Sequence, residues 1–254
     1  MATDSHSRPS TALVTGASSG IGRELATITA EDGYDVVLVA RREAELVELS
    51  SELEADHGVT ATVLPVDLSE SQAAETVVTE VTDRGLDVDL LVNNAGVSQW
   101  GRFDETPLET DREMLAVNVA AVTALTKRFV RPMVDRGEGA ILNVASIAGE
   151  APHPGMPVYA ATKAYVISLS RALGRQLAPL GVTVTVLSPG WTDTAMGREL
   201  AETGDRDIQQ WMDPETVARE GYDGLLAGDP VVIPGESNRE YVRDVHTERA
   251  AEIE

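Results

Sequence analysis

The chain of 254 residues contains no cysteine, which excludes a disulfide framework, a thiolate zinc site and a cysteine nucleophile. Histidine is scarce too. Of His6, His57, His153 and His246, no pair has i, i+4 spacing and none stands beside an acidic cluster, so no metal site is expected. Long apolar runs are missing: nothing approaches the roughly 18 residues of a membrane-spanning helix. The opening residues have no apolar stretch of the kind a secretory signal needs, so the expected address is the cytoplasm, with no membrane partner. Positive charge is in short supply as well. Forty-two acidic against 20 basic residues give a formal net charge of −22, a surface that repels phosphate backbones and speaks against a nucleic-acid partner. Only Lys127 and Lys163 are lysine among those 20 bases. Such an acidic, lysine-poor surface is expected of a salt-adapted (halophilic) protein; a codon bias towards arginine leaves the acid excess unexplained. Hydrophobic residues make up 43% of the chain, ample for a core, and the length suits one large domain.

What is present is an alternation. Short runs rich in Val, Ile and Leu over 11–15, 36–40, 60–66, 90–93, 140–145, 183–188 and 231–233 read as strands bounded by Gly, Asp, Asn or Pro. Helices are expected near 20–32, 42–56, 69–84, 107–135 and 157–178, with a peripheral helix over the charged 236–254. Strands apolar on both faces, alternating with helices, predict an α/β fold. It would be a doubly wound parallel sheet of about seven strands with helices on both faces. Ligands are then expected beyond the carboxyl ends of the strands. No linker or repeat divides the chain. Residues 10–254 read as a single dinucleotide-binding and catalytic domain after a flexible tail, 1–9. The stretch 191–212 breaks the rhythm and is expected to be a mobile lid.

The first strand runs directly into Thr15-Gly16-Ala17-Ser18-Ser19-Gly20-Ile21-Gly22, followed by a helix. A glycine-rich turn there lets backbone N–H groups and the helix N-terminus approach a pyrophosphate, which makes Gly16, Ser18, Ser19, Gly20, Ile21 and Gly22 candidate cofactor contacts. The second strand ends at Ala40, where an acid would hold a free ribose 2′-hydroxyl; Arg41 and Arg42 follow instead. Two guanidinium groups suit a 2′-phosphate in charge and geometry, predicting NADP(H). Asp67 and Leu68, past the third strand, are expected near the adenine, although Asp67 also reads as a local cap with Ser69 competing.

Further signals fall at later strand ends: Asn93-Asn94-Ala95-Gly96, then Ser146, then Tyr159-Ala160-Ala161-Thr162-Lys163 on a helix. Tyr159 and Lys163, at i and i+4, share a helix face. A free phenol has a pKa near 10; an adjacent ammonium and a place in the first helical turn, supported by Pro157, both favour its ionised form. Ser146 could share a carbonyl oxygen with that phenol. In a chain where one cation in ten is lysine, a lysine at this position is informative, because arginine would stay rigid and always charged. His153 lies near this presumed site, and Trp100, Trp191 and Trp211 fall where substrate loops would lie.

These motifs, with Asn118, Pro189-Gly190 and Thr194, resemble the short-chain dehydrogenase/reductase family in order and spacing over about residues 10–235. The family uses this G-x-x-x-G-x-G spacing. The resemblance implies a Rossmann-type fold and hydride transfer between nicotinamide and a carbonyl or secondary alcohol, with Asn118, Ser146, Tyr159 and Lys163 catalytic. Tyr159 would move the proton; Lys163 would lower its pKa and bind the nicotinamide ribose. Ser146 would polarise the carbonyl, and Asn118 would hold a water linking Lys163 to solvent. Asn94, Ala95 and Gly96 would pass along a ribose, and Pro189, Gly190, Thr192 and Thr194 would meet the nicotinamide end. Thr192 stands where the family often has an aliphatic residue. The substrate would be a small carbonyl or alcohol compound, including the 3-oxoacyl type. The resemblance also implies a homodimer or homotetramer formed through helices 107–135 and 157–178, with Ala116, Ala120, Ala121 and Ala124 on one side. The competing readings are a non-redox family member and a non-catalytic NADP-sensing or scaffold protein.

Overall fold

A computed structural model describes residues 10–253; the expected tail at 1–9 lies outside the described residues. Seven strands form one sheet: β1 (Thr11–Thr15), β2 (Asp35–Ala40), β3 (Ala61–Pro65), β4 (Val88–Asn93), β5 (Gly139–Val144), β6 (Val182–Leu187) and β7 (Val231–Val232). All pairings are parallel, in the order β3-β2-β1-β4-β5-β6-β7. The order reverses between β1 and β4, which opens a crevice at their carboxyl ends.

Strand pattern and layer agree. Successive β-strand side chains face opposite ways, so Ala12 and Val14 enter one core and Leu13 the other. Helices α1 (Gly20–Glu31) and α2 (Glu43–His57) cover the first face, through Leu25, Ile28, Leu46, Leu49 and Leu53. Helix α3 (Ala73–Asp83) covers the second with Val77 and Val81. The expected helix 107–135 forms as three pieces: α4 (Leu108–Leu115), a π-helical turn at Ala116–Ala121, and α5 (Val122–Arg136). Ala121 in that turn is buried in the second core, whereas Ala120 is exposed, so the four alanines do not share one outer side. After β5 come α6 (Ile147–Glu150) and the long α7 (Pro157–Leu177).

Besides the short α6, two further helices were not expected. Helix α8 (Ala195–Thr203) occupies the segment 191–212, and α9 (Pro214–Ala227) packs on the first face through Val217, Ala218 and Tyr222. The segment around α8 is closed at its base by a bridge between Thr192 and Met212, with Asp193 N–H donating to the Met212 carbonyl at 2.8 Å and Met212 N–H to that of Trp191 at 2.9 Å. Helix α10 (Glu236–Ile253) forms as expected. Glu150 on α6 pins it, accepting from Arg171 at 3.1 Å and contacting His246 Nε2 of α10 at 2.9 Å. No helix among the described residues is long and apolar enough to cross a membrane.

Candidate active site

The glycine loop after β1 and the strand end of β4 are tied together. Thr15 Oγ1 accepts from the N–H groups of Asn94 and Ala95, each at 3.0 Å, and Asn94 Nδ2 donates to the Thr15 carbonyl at 3.0 Å. Gly16 has φ +69°, and a β-carbon there would come within 2.7 Å of Asn94 Nδ2, so both backbone conformation and space demand glycine. Gly20 similarly lies under the Thr194 methyl, where a β-carbon would sit 2.8 Å away. Ile21 packs on the first core, while Gly22, in the first turn of α1, lies beneath Asn94 and the Gly16 carbonyl.

The N-terminus of α1 is open to an anion. Ser19 occupies the N-cap without a side-chain cap bond, and the first turn carries no acid. By contrast α2, α3, α4 and α9 each have an acid in theirs. The hydroxyls of Ser18 and Ser19 instead meet the Arg42 guanidinium, at 2.9 and 2.7 Å from Nη2. Arg41 turns the other way, to Glu113 at 3.1 Å and Asp67 at 4.0 Å. The two adjacent arginines therefore turn to different partners. Asp67 accepts from both the N–H and the hydroxyl of Ser69, at 2.9 and 2.8 Å, closing a local turn rather than capping a helix, since the N-cap of α3 is Gln72. Burial raises its pKa, but the Ser69 bonds and Arg41 outweigh that and leave it below the ordinary value. Leu68 is buried in the second core.

Ser146, Tyr159 and Lys163 come together past the end of β5. Ser146 follows the strand, caps α6 by accepting from the Ala148 N–H at 3.2 Å, and hydrogen-bonds the Tyr159 phenol. Pro157 opens α7, which places Tyr159 in its first turn. Both Tyr159 and Lys163 are buried. Burial pushes the Tyr159 phenol above its usual value near 10, and the Ser146 hydrogen bond opposes it. Lys163 Nζ donates to the Val144 carbonyl at 3.0 Å and lies 5.7 Å from the tyrosine ring centroid, and burial sets the net direction of the phenol. Burial lowers Lys163 itself to about 8.

The Asn118 side chain is hydrogen-bonded through both its amide oxygen and its amide nitrogen. Its carbonyl oxygen accepts from Val97 N–H at 2.9 Å, and its amide donates to the Val97 carbonyl at 2.9 Å and to Thr162 Oγ1 at 3.1 Å. The side chain is thereby committed to fastening the loop after β4 onto α7, between Tyr159 and Lys163. Gly96 sits where a β-carbon would approach Lys163 Nζ and Asn118 Oδ1 to 3.4 and 3.5 Å. Past β6, the Pro189 carbonyl accepts from Ile147 N–H at 3.0 Å, and Gly190 abuts the Asn238 amide of α10. Thr192 Oγ1 donates to the Gly190 carbonyl at 3.1 Å; Thr194 Oγ1 caps α8 by accepting from Gly197 N–H at 3.1 Å.

Sequence reasoning passed over Gly149. A β-carbon there would sit 2.6 Å from the Lys163 carbonyl carbon and 2.7 Å from Ala164 N, so this glycine sets how closely α6, and Ser146 with it, approaches α7. The only sequence signal is a glycine three residues after the candidate serine.

The short chain dehydrogenase family model matches residues 10–205. A short chain dehydrogenase from Pseudocercospora fijiensis is 36% identical over 74% of this chain and 61% of its own. The very-long-chain 3-oxoacyl-CoA reductase of Laccaria bicolor is 37% identical over 70% of this chain and 53% of its own. This chain thus spans between half and two thirds of the length of these curated relatives. Among solved structures, a short-chain dehydrogenase from Sphingobium yanoikuyae in complex with NADPH superposes with a TM-score of 0.83. It has 32% identity, with 96% of this chain and 95% of that one covered. The chain belongs to the short chain dehydrogenase family.

Proposed function

We propose that this protein is an NADP(H)-dependent oxidoreductase acting between a carbonyl compound and a secondary alcohol. One observation carries the reading: partly exposed Ser146 meets the buried Tyr159 and Lys163 beyond the carboxyl end of β5. The residues also fit the cofactor. Gly16, Gly20 and Gly22 have no room for a β-carbon, the α1 N-terminus has no side-chain cap and no acid in its first turn, and Arg42 lies on the Ser18 and Ser19 hydroxyls beside it, with Arg41 next in the chain. Family membership and the NADPH complex of the Sphingobium relative support the same choice. The Laccaria reductase supports a ketone of the 3-oxoacyl kind among the substrates.

When bound, the cofactor supplies or accepts the hydride. The chain does the rest. Asn94, Ala95, Gly96, Pro189, Gly190, Thr192 and Thr194 border its path from adenine-side ribose to nicotinamide, and Asp67 and Leu68 border the adenine. Ser146 Oγ orients and polarises the substrate oxygen, and Tyr159 Oη gives it a proton in reduction. A phenol held protonated by burial suits that direction. Lys163, ammonium below about pH 8, holds the ribose hydroxyls and passes on a proton. Since the Asn118 side chain is occupied, its share in that relay falls to its main-chain carbonyl in the π-helical turn, where helical hydrogen bonding is irregular. The segment 191–212 is the lid over this cleft.

The test is NADPH and NADH oxidation with a panel of ketones, in parallel. NADPH is expected to be preferred, with Arg41→Ala and Arg42→Ala each costing roughly tenfold in kcat/KM for NADPH and little for NADH. Equal use of both coenzymes by the parent protein refutes the arginine assignment. NADPH binding with no ketone reduced supports a sensing or scaffold protein instead. The acidic surface is proposed to be an adaptation to high salt. Self-association is proposed through an exposed apolar concavity of about 460 Å³ lined by Phe103, Leu115, Val119, Val158, Ala161 and Tyr165.

A further inference from the structure

Three segments meet at Trp100: the loop after β4, the loop between α6 and α7, and the end of α8. Trp100 packs against the cluster formed by Met114, Met156 and Tyr159, so it belongs to the wall of the candidate site. Its ring is approached by two glycines. A β-carbon at Gly155 would come within 2.6 Å of it and one at Gly204 within 2.7 Å. His153 stacks on it with ring centroids 4.8 Å apart, and the Arg206 guanidinium lies 5.8 Å from its centroid.

The contact between those two polar groups cannot be a hydrogen bond. His153 Nδ1 is 3.0 Å from Gly155 N–H, a fixed donor, so Nδ1 must carry a lone pair and the ring proton sits on Nε2. Burial, and after it Arg206, push the imidazole pKa below its ordinary value, which keeps this neutral tautomer at pH 7. Nε2–H then faces Arg206 Nη1 at 3.4 Å, and arginine only donates. Two donors converge on one point with no acceptor between them.

Arg206 also has no ion pair among the described residues, in a chain with 42 acids. Its sequence neighbours do not supply one: Asp207 accepts from Gln209 at 2.6 Å, and Asp205 is not paired with it. The backbone holds it in place. Arg206 N–H donates to the Ala201 carbonyl at 2.9 Å and Asp205 N–H to that of Glu202 at 3.2 Å, a helix stop that puts Asp205 at φ +47°. Asp205 is thereby the one non-glycine residue with positive φ among the described residues.

We propose that His153 and Arg206, shelved on Trp100, form a subsite for an anionic group, a carboxylate or phosphate, carried by the substrate at a distance from its reacting carbonyl. The anion would accept from both Nε2–H and the guanidinium, and the apolar stem of the substrate would lie along Trp100 and Met156. This rests on the reductase reading and narrows its substrates to anionic ketones.

The test is a series of ω-benzoyl carboxylates of increasing chain length against their methyl esters, with the NADPH-loaded full chain. At one length the acid is expected to exceed its ester in kcat/KM by about tenfold or more. Arg206→Gln should collapse the acid-to-ester ratio to near one, and His153→Phe, which keeps the stack on Trp100, should lower it severalfold. Esters reduced as well as acids at every length, or an acid preference that survives Arg206→Gln, overturns the subsite while leaving the reductase reading intact. If no compound is reduced, the reductase reading fails. Calorimetric titration with the same acids then decides the subsite alone: Arg206-dependent binding supports it, and its absence overturns it.

Discussion

At the scale of single residues, the catalytic candidates are expensive to bury. Lys163 has its pKa lowered from 10.5 to about 8 by burial, so between those values the unfolded chain binds the proton that the folded chain has released. Stability therefore rises as pH climbs from about 8 to 10.5, and the full penalty is present below about 8. Lys163→Met should stabilise the fold by about 2 kcal/mol at pH 7, after allowing for the lost bond to Val144, while removing most activity. The gain should fade by pH 10.5. Denaturant unfolding of both proteins at pH 7 and pH 10.5 checks this, and a destabilised variant at pH 7 contradicts it. Tyr159 behaves in the opposite sense. Burial keeps its proton on, and Ser146 is the group that eases it off. Ultraviolet titration of the cofactor-free protein should place Tyr159 ionisation above 10, identified by its loss in Tyr159→Phe. In Ser146→Ala it should move further up. A lower midpoint in Ser146→Ala would show that another group sets the phenol.

At the scale of elements, close approach decides the chemistry. Helix α6 is only four residues long and rests on α7 through Gly149. Because the atoms met by a side chain there are backbone, the short helix must move to admit one. Gly149→Ala should displace Ser146 from Tyr159 and lower kcat by up to about a hundredfold, more than it changes KM, with an unaltered far-ultraviolet spectrum. Unchanged kcat would mean the two helices are not in register by contact.

Elements also show what could be read without coordinates. All seven strands are legible because each is a short run rich in Val, Ile or Leu stopped by a turn residue, as in Ala12-Leu13-Val14 before Gly16. Helix α9 is not, because Gly221 and Gly224 weaken its helical signature. Those glycines are there for packing: a β-carbon at Gly221 would meet buried Leu187 at 2.6 Å, and Gly224 lies against Val232. Its start was nonetheless written in Asp213-Pro214, since Asp213 caps the helix by accepting from Thr216 N–H at 2.9 Å. The residues of the site were legible by type and spacing. Their partners were not: that Asn118 spends its amide on Val97, or that Arg41 and Arg42 part company, depends on elements far apart in the chain.

At the scale of the whole molecule, charge dominates. A net −22 on one domain makes the folded state repel itself, although many arginines lie in ion pairs such as Arg128–Glu75 and Arg219–Glu31. Raising the salt shortens the screening length from about 10 Å at 0.1 M to about 3 Å at 1 M, which relieves repulsion between groups further apart than the paired ones. The melting temperature should therefore climb by several degrees from low to molar KCl. A melting temperature that falls or stays flat would mean that the ion pairs outweigh the repulsion. The charge also bears on how α10 is kept in place: its contact with α6 runs through His246 and the buried Glu150, so substrate-side and C-terminal segments share one carboxylate.

The bridge between Thr192 and Met212 brings the two ends of a nineteen-residue excursion side by side, with Trp191 and Trp211 crossing edge to face at 6.0 Å beneath it. A loop whose ends already meet transmits no tension to the sheet when its interior is lengthened, shortened or exchanged. Apart from Thr194, which lies over Gly20 of the phosphate loop and stays with the scaffold, the stretch between these anchors is thus a natural cassette. Transplanting it between related enzymes should carry substrate scope along while the scaffold that grips the nucleotide folds as before.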